Sequence, residues 1–402
     1  MAQQHGIREI DLDVVRGVAI LLAMGWHINH VGTGYAVVDW ILMPGAMIGW
    51  FGVDLFFVLS GFLIGGMILR EVGKTGGFNY RAFLVRRIFR LWPTLYVFLL
   101  AMLIVGGVPW QDYFWQIALH VQNYVQTKSA THLWSLAVEE HFYILLGVIF
   151  PLMIPRWRVH RWLPALLAAL LILSPLLRAW RAHAGDSAVS IQTQTHLRLD
   201  ALAAGVLIAF TAWSAPALFE RILRRRVVAF IAAATSVAFL WCTPKDSLVG
   251  QTVGFSVAWF GAAAFLLLIY RAGLERRAPV LCRAIAFLGQ VSYPLYLWHV
   301  PVMRMAEKYV PRLLGKEMRL AVVVVAYFAA IGVATVLSLL IERPLMRLRD
   351  RLIPPRVASV ETVASVETVA SVASVETVET VETVASVETS ETNDPDARAK
   401  TY

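Results

Sequence analysis

The chain has 402 residues, of which 58% are hydrophobic and 16% charged, and its mean hydropathy is +0.63. Soluble domains carry roughly 25% charged residues, so composition excludes a water-soluble globular fold and points to lipid as the solvent. The formal net charge of +9 does not argue for nucleic acid, because the positive residues fall in short clusters between apolar runs, the pattern of cytoplasmic loops.

Apolar runs near the ~20 residues needed to cross ~30 Å of hydrocarbon fall at 14–35, 46–69, 91–108, 133–154, 162–180, 198–216, 227–243, 249–270, 284–303 and 320–341. The first is preceded by Arg8, Glu9, Asp11 and Asp13, contains Arg16 and lacks a small-residue cleavage site. It is expected to remain as a helix rather than be removed as a signal peptide. The expected fold is therefore an all-α polytopic membrane protein of about ten transmembrane helices, since a lipid-exposed backbone must satisfy its own hydrogen bonds. With the N-terminus inside, the inner segments carry more than twice as many Lys and Arg as the outer ones, which include Arg178 and Arg198. That asymmetry puts both termini in the cytoplasm. It also puts the two cysteines, Cys242 and Cys282, on opposite sides of the membrane, too far apart for a disulfide.

The membrane domain spans 8–350. After Pro355, residues 357–389 are an unbroken series of Val-Ala-Ser and Val-Glu-Thr triplets. A period of three fits neither a helix nor a half-buried strand, so 357–402 reads as a disordered, low-complexity tail.

Ionisable groups inside a span cost several kcal/mol, and each is a candidate functional residue. The first span holds Arg16 and His27, 11 residues apart, which is close to three full turns and about 16 Å along one helix face. Asp13, three residues before Arg16, can pair with it. The second span carries Asp54, the fourth Glu139 and Glu140, and the ninth Ser292, Tyr293, Tyr296 and His299. At 1.5 Å per residue, His27 lies about 20 Å above the inner end of its helix, with Asp54 about 12 Å and Glu139 about 9 Å below the outer end of theirs. His299 falls in the same outer third, so four separate spans place titratable groups at a similar depth. At the inner face, Arg87 and Arg90 share one side of a helix. With Arg16 near the same level, they suit a phosphate-bearing ligand, because guanidinium forks match phosphate oxygens.

These motifs resemble the membrane acyltransferase-three family, which includes bacterial surface-polysaccharide O-acetylases and macrolide O-acyltransferases. The resemblance rests on LDVVRGVAILLAMGWH with Arg16 and His27, FGVDLFFVLSGFLI, the Arg87 and Arg90 pair, HLWSLAVEEHFYILLGVIFP, THLRLDALAAG with Arg198 and Asp200, SYPLYLWHVPV and the closing Glu342-Arg343-Pro344. Together they run in family order from residue 8 to about 350. The resemblance implies transfer of an acyl group, usually acetyl from acetyl-CoA, to a hydroxyl of a sugar or related glycosylated molecule in the bacterial cytoplasmic membrane. It implies that His27 is catalytic and that Arg16, Arg87 and Arg90 handle the acyl-CoA donor. His141 stands where the family usually has Gln. No metal is expected.

In this reading His27 is the general base on the acceptor hydroxyl, a role suited to an imidazole at neutral pH. A covalent acyl-histidine is the alternative. Glu139 or Asp54 would orient the imidazole, as a carboxylate does in a triad. A carbohydrate acceptor, such as a surface polysaccharide, is expected first and a macrolide or other secondary metabolite second. A proton-coupled transporter would also use buried carboxylates and histidines, but no inverted pair of broken hydrophobic segments is apparent.

Overall fold

A computed structural model describes residues 2–28, 32–105, 109–153, 156–314 and 318–352. The triplet repeats and the rest of the expected tail, 357–402, lie outside the described residues. The chain divides into two units, Met1–Leu348 and Arg349–Tyr402; only the end of the last helix is described in the second.

Among the described residues there are helices and no strand. The chain opens with α1 (Ala2–Ile28), a short α2 (Ala36–Ile48) and α3 (Phe51–Thr75). Gly76 ends α3 in the left-handed region at φ 70°, which a residue without Cβ adopts freely. Next come α4 (Tyr80–Val105), α5 (Phe114–Ala118), α6 (Trp134–Met153), α7 (Arg156–His183) and α8 (Ala188–Thr193). The second half comprises α9 (Leu199–Ser214), α10 (Pro216–Arg224), α11 (Arg226–Cys242), α12 (Phe255–Ile269), α13 (Leu274–Arg277), α14 (Pro279–Gln290), α15 (Ser292–Leu314), α16 (Arg319–Leu337) and α17 (Arg343–Leu352).

Prolines stand at two bent helix pairs. Pro216 cannot continue α9, because its ring would clash with the carbonyl four residues back and it has no N–H to give; α10 leaves at 116°. In the same way Pro294 cannot bond to Gln290, the last residue of α14, and α15 turns away by 78°.

Among the described residues, six helical segments are long and apolar enough to cross a membrane: Phe51–Thr75, Tyr80–Val105, Thr131–Met153, Arg158–His183, Gly250–Ile269 and Arg319–Leu352. If each bent pair is one span, the number rises to eight. The protein is thus a multi-pass helical membrane protein, with fewer clear spans than the ten expected. The two runs that fall short have different reasons. In α1, Asp11, Asp13 and Arg16 dilute the apolar stretch, and residues 29–31 of the expected run lie outside the described residues. In α11 the helix has 17 residues, below the length that spans the hydrocarbon unaided.

Among the described residues, α3 and α9 share the most extensive helix–helix contact. A Cβ on Gly61 would land on the carbonyl oxygen of Leu202, and one on Gly205 on that of Val58. Small residues let two backbones touch where apolar burial supplies no driving force between helices. Gly61→Ala and Gly205→Ala are each expected to destabilise the protein by about 1–3 kcal/mol, the cost of overpacking. Thermal unfolding of the detergent-solubilised protein measures this; unchanged midpoints would mean the helices can separate without cost.

Beside that contact lie two buried ion pairs. Arg198 Nη2 donates to Asp54 Oδ1 at 2.7 Å, and its guanidinium lies 4.0 Å from the centre of the Phe255 ring. Arg178 Nη2 donates to Asp200 Oδ2 at 2.7 Å and to Ser256 Oγ at 2.8 Å, while Nη1 reaches the Leu197 carbonyl at 2.6 Å. Arg178 and Arg198 are 0% and 1% exposed. Counting them as outer-loop charges is therefore corrected: each found an aspartate inside the helical core.

Candidate active site

Two cavities lie against each other among the helices. The first, of about 340 Å³, is lined by Arg16 of α1, Arg70 of α3, Arg87 and Arg90 of α4, and Glu139 and Tyr143 of α6. The second, of about 390 Å³, is lined by Trp26 and His27 of α1, Trp50, His132, Trp134 and Gln192. Val53 of α3 and Tyr296 of α15 line both, so the two cavities adjoin there.

The arginine cavity gathers Arg16, Arg87 and Arg90, with Ser292 and Tyr293 on the same lining. Arg87 and Arg90 meet there because three residues on a helix return to nearly the same side. The Arg87 guanidinium lies 4.7 Å from the centre of the Tyr143 ring, an attraction to the ring face that fixes the side chain. Arg16 Nη1 donates to Asp13 Oδ1 at 2.5 Å. Glu139 Oε2 accepts from the Tyr143 hydroxyl at 3.1 Å, and that hydroxyl also hydrogen-bonds Ser60 Oγ. Four arginines against one lining carboxylate give this cavity an excess of positive charge, which suits an anionic ligand.

His27 and His132 line the second cavity; the ring of His27 lies 5.2 Å from that of His299, behind the lining, and 6.1 Å from that of His132, centre to centre. His132 and His299 are 5.2 Å apart. Tyr296 closes the cluster. Its hydroxyl donates to the His132 carbonyl at 2.7 Å, so Ser135 Oγ must be the donor in their 2.6 Å bond, since a phenol has one proton to give.

His27 and His299 therefore meet, as depth counting implied, but the two carboxylates do not join them. Asp54 pairs with Arg198 and lines neither cavity. Its neighbour Val53 lines both, and one residue further along a helix turns the side chain by about 100°. Glu139 lies in the arginine cavity, hydrogen-bonded to Tyr143. Depth is read from residue number along a span; the face a residue presents depends on how helices pack. Glu140 is buried beside Glu139 with Oε1 lacking a hydrogen-bond partner among the described residues. Arg198 and Asp200 belong to the buried ion pairs rather than to either cavity.

His132 was absent from the residues singled out in the sequence, although the motif HLWSLAVEEHFY contains it. It lies one residue before the apolar run 133–154, where an ionisable group is no exception to composition. His132 sits in a single turn, Thr131–Leu133, ahead of α6, entered through Ala130 at φ 53°. Arg70, at the end of the second apolar run, and Ser60 and Tyr143 carry no signal of their own in the sequence. His141 faces away from both cavities, its Nδ1 2.7 Å from Thr195 Oγ1. The nearby loop residue His120 is pushed down to about 4, first by burial and second by the charge of His141.

The model of the family described as acyltransferase domain matches residues 9–342. O-acetyltransferase OatA of Staphylococcus aureus strain NCTC 8325 / PS 47 is 26% identical over 325 residues, covering 74% of this chain and 51% of the relative. A putative O-acetyltransferase of S. aureus strain COL is 26% identical over 326 residues, with the same coverage of each chain. The chain thus spans about half the length of these curated relatives. No solved structure matches.

Proposed function

This chain belongs to the acyltransferase-domain family, and from that premise we propose that it is an O-acyltransferase of the bacterial cytoplasmic membrane. It moves an acyl group, acetyl above all, from acetyl-CoA to a hydroxyl of a carbohydrate such as a surface or exopolysaccharide. The observation that carries this reading is the contact of the two cavities across Val53 and Tyr296, with four arginines in one and His27 in the other. The relatives' name supports acetyl as the transferred group.

With both termini cytoplasmic, the arginine cavity receives the CoA phosphates through charge-assisted hydrogen bonds from Arg16, Arg87 and Arg90. The pantetheine arm covers the distance of about 16 Å from the level of Arg16 to that of His27. There His27 takes the proton of the acceptor hydroxyl as its oxygen attacks the thioester carbonyl. The new C–O bond forms, the C–S bond breaks, and the proton passes from the imidazolium to the departing thiolate. Trp26, Trp50 and Trp134 around His27 offer the flat apolar faces that stack on sugar rings.

The test is the purified protein in liposomes with acetyl-CoA labelled in the acetyl group and a polysaccharide extract as acceptor. Label is expected to pass to carbohydrate. Uptake of label into the liposomes with the thioester intact would instead identify a transporter. In the same assay, replacing Arg87 and Arg90 together by alanine is expected to raise the KM for acetyl-CoA at least tenfold, since each lost charge-assisted contact costs about 1.5–3 kcal/mol. Lysine at both positions should restore only part of it, because an ammonium lacks the planar fork. An unchanged KM in the double alanine variant would reduce the pair to membrane anchoring.

A further inference from the structure

One face of α3 runs the length of the arginine cavity. Val53, Phe56, Ser60, Leu63, Met67 and Arg70 all line it, at intervals of three and four residues, the spacing that keeps side chains on one side of a helix. From Val53, where the second cavity adjoins, to Arg70 this face covers about 25 Å at 1.5 Å per residue. It is apolar apart from Ser60, whose hydroxyl is engaged with Tyr143, until it ends in a cation.

The four arginines of this cavity are not one cluster. The Arg87 guanidinium lies 4.7 Å from the centre of the Tyr143 ring, and the hydroxyl of that ring bonds Ser60 Oγ, so Arg87 sits near the level of Ser60. Arg16 and Arg87 both interact electrostatically with Arg90 and Tyr143, which gathers these three at one level. Arg70 lies ten residues beyond Ser60, about 15 Å further along α3. It is exposed, whereas Met67 is half-buried. Its Nη1 would stand 3.4 Å from a Cβ on Gly66, so the guanidinium lies folded back by about one turn along α3. A guanidinium has five N–H donors, enough to hold a phosphate beside the contact Arg70 makes within the protein.

Acetyl-CoA carries its negative charge in two places: a diphosphate joined to the pantetheine arm, and a separate phosphate on the ribose 3′ oxygen. With the thioester toward Val53 and the second cavity, the diphosphate comes first and the ribose phosphate lies beyond it, in the direction of Arg70. We infer that Arg70 holds the ribose 3′-phosphate while Arg16, Arg87 and Arg90 hold the diphosphate, so that the arginine cavity selects the 3′-phosphorylated coenzyme. This rests on the acyltransferase reading above. Three guanidinium forks together match the several oxygens of a diphosphate, and one set apart matches a single phosphate. The apolar face of α3 between Ser60 and Val53 is left for the pantetheine arm. An arginine that only anchors the end of a span would have no means of telling a donor with the 3′-phosphate from one without it.

Equilibrium binding of acetyl-CoA and of 3′-dephospho-acetyl-CoA to the purified full-length protein in liposomes tests this without an acceptor. The wild-type protein is expected to bind acetyl-CoA about tenfold more tightly than the dephospho form, the size of one charge-assisted contact at an exposed site. Arg70→Ala should bring acetyl-CoA down to the affinity of the dephospho form, and leave the dephospho form within about twofold of its wild-type affinity, since the two changes remove the same contact. Arg70→Lys should keep part of the preference, because a lone phosphate also accepts a point charge. Replacing Arg87 and Arg90 together by alanine should weaken both donors by a similar factor and keep the preference. Equal affinity of the wild-type protein for the two donors would overturn the inference. So would a preference that survives in Arg70→Ala, which would reduce Arg70 to anchoring, or one that disappears with Arg87 and Arg90, which would move the 3′-phosphate to them. Equal weakening of both donors in Arg70→Ala would also overturn it. If Arg70→Ala does not insert, Arg70→Gln, which keeps the length of the side chain, takes its place. Discrimination in binding without acyl transfer to any acceptor would count against the enzyme assignment and leave the phosphate site standing.

Discussion

His27→Gln, His27→Asn and His27→Ala are each expected to lower acyl transfer by about 10²-fold or more, the contribution of a positioned general base. A histidine kept for packing or for one donated hydrogen bond could be exchanged for an amide with little loss. A base cannot, because an amide does not take up a proton near neutral pH. The surroundings make this a clean experiment. His27 lines one cavity and the arginines line the other, so acetyl-CoA binding should survive in all three variants while turnover falls. The loss should appear in kcat and in kcat/KM alike, as expected when an interaction used only in the transition state is removed. Equilibrium binding of labelled acetyl-CoA measured beside turnover separates the two. Near-normal turnover in His27→Gln with acetyl-CoA and the true acceptor would reject the mechanism while leaving the family membership in place.

Sequence spacing carried part of this site and not the rest, for identifiable reasons. Arg16 and His27 fall on one helix, and a rise of 1.5 Å per residue is enough to set them at different levels. Arg16 lines one cavity and His27 the other. Arg87 and Arg90 come together for an equally local reason, one turn of α4. The partners of His27 were not legible in this way. Asp54, Glu139 and His299 were grouped by depth, but depth fixes one coordinate of three. The azimuth of Asp54 depends on α9 approaching α3 where Gly61 and Gly205 permit backbone contact, and that approach hands Asp54 to Arg198. His132 was overlooked because a residue in a turn before a helix breaks no rule of membrane composition, although a backbone turn can bring it as deep as any residue in a span. The fold shows the same division. Helix positions followed from apolar runs, whereas the breaks at Ala215 and Val291 depend on individual prolines that a hydropathy window averages away.

Asp54→Ala is expected to destabilise the protein by about 3–5 kcal/mol, the cost of breaking a buried ion pair from one side. Asp54 and Arg198 are 0% and 1% exposed, and the guanidinium already leaves Nε and Nη1 without hydrogen-bond partners among the described residues. Removing the carboxylate takes away the bond at 2.7 Å and leaves a cation against Phe57, Trp134 and Phe255, where the aromatic faces compensate only in part. Replacing both partners by apolar residues of similar size, Asp54→Leu with Arg198→Met, should recover most of the stability, because no uncompensated charge then remains in the core. Thermal unfolding of wild type, Asp54→Leu, Arg198→Met and the double variant in detergent gives the coupling energy directly. The same proteins assayed at a temperature where all are folded test the role of Asp54 in catalysis. Since Asp54 lines neither cavity, the double variant should retain turnover within a few-fold of wild type. A double variant of wild-type stability that has lost turnover would return Asp54 to the catalytic centre, and would mean that its bond to Arg198 is exchanged for one to His27 during the reaction.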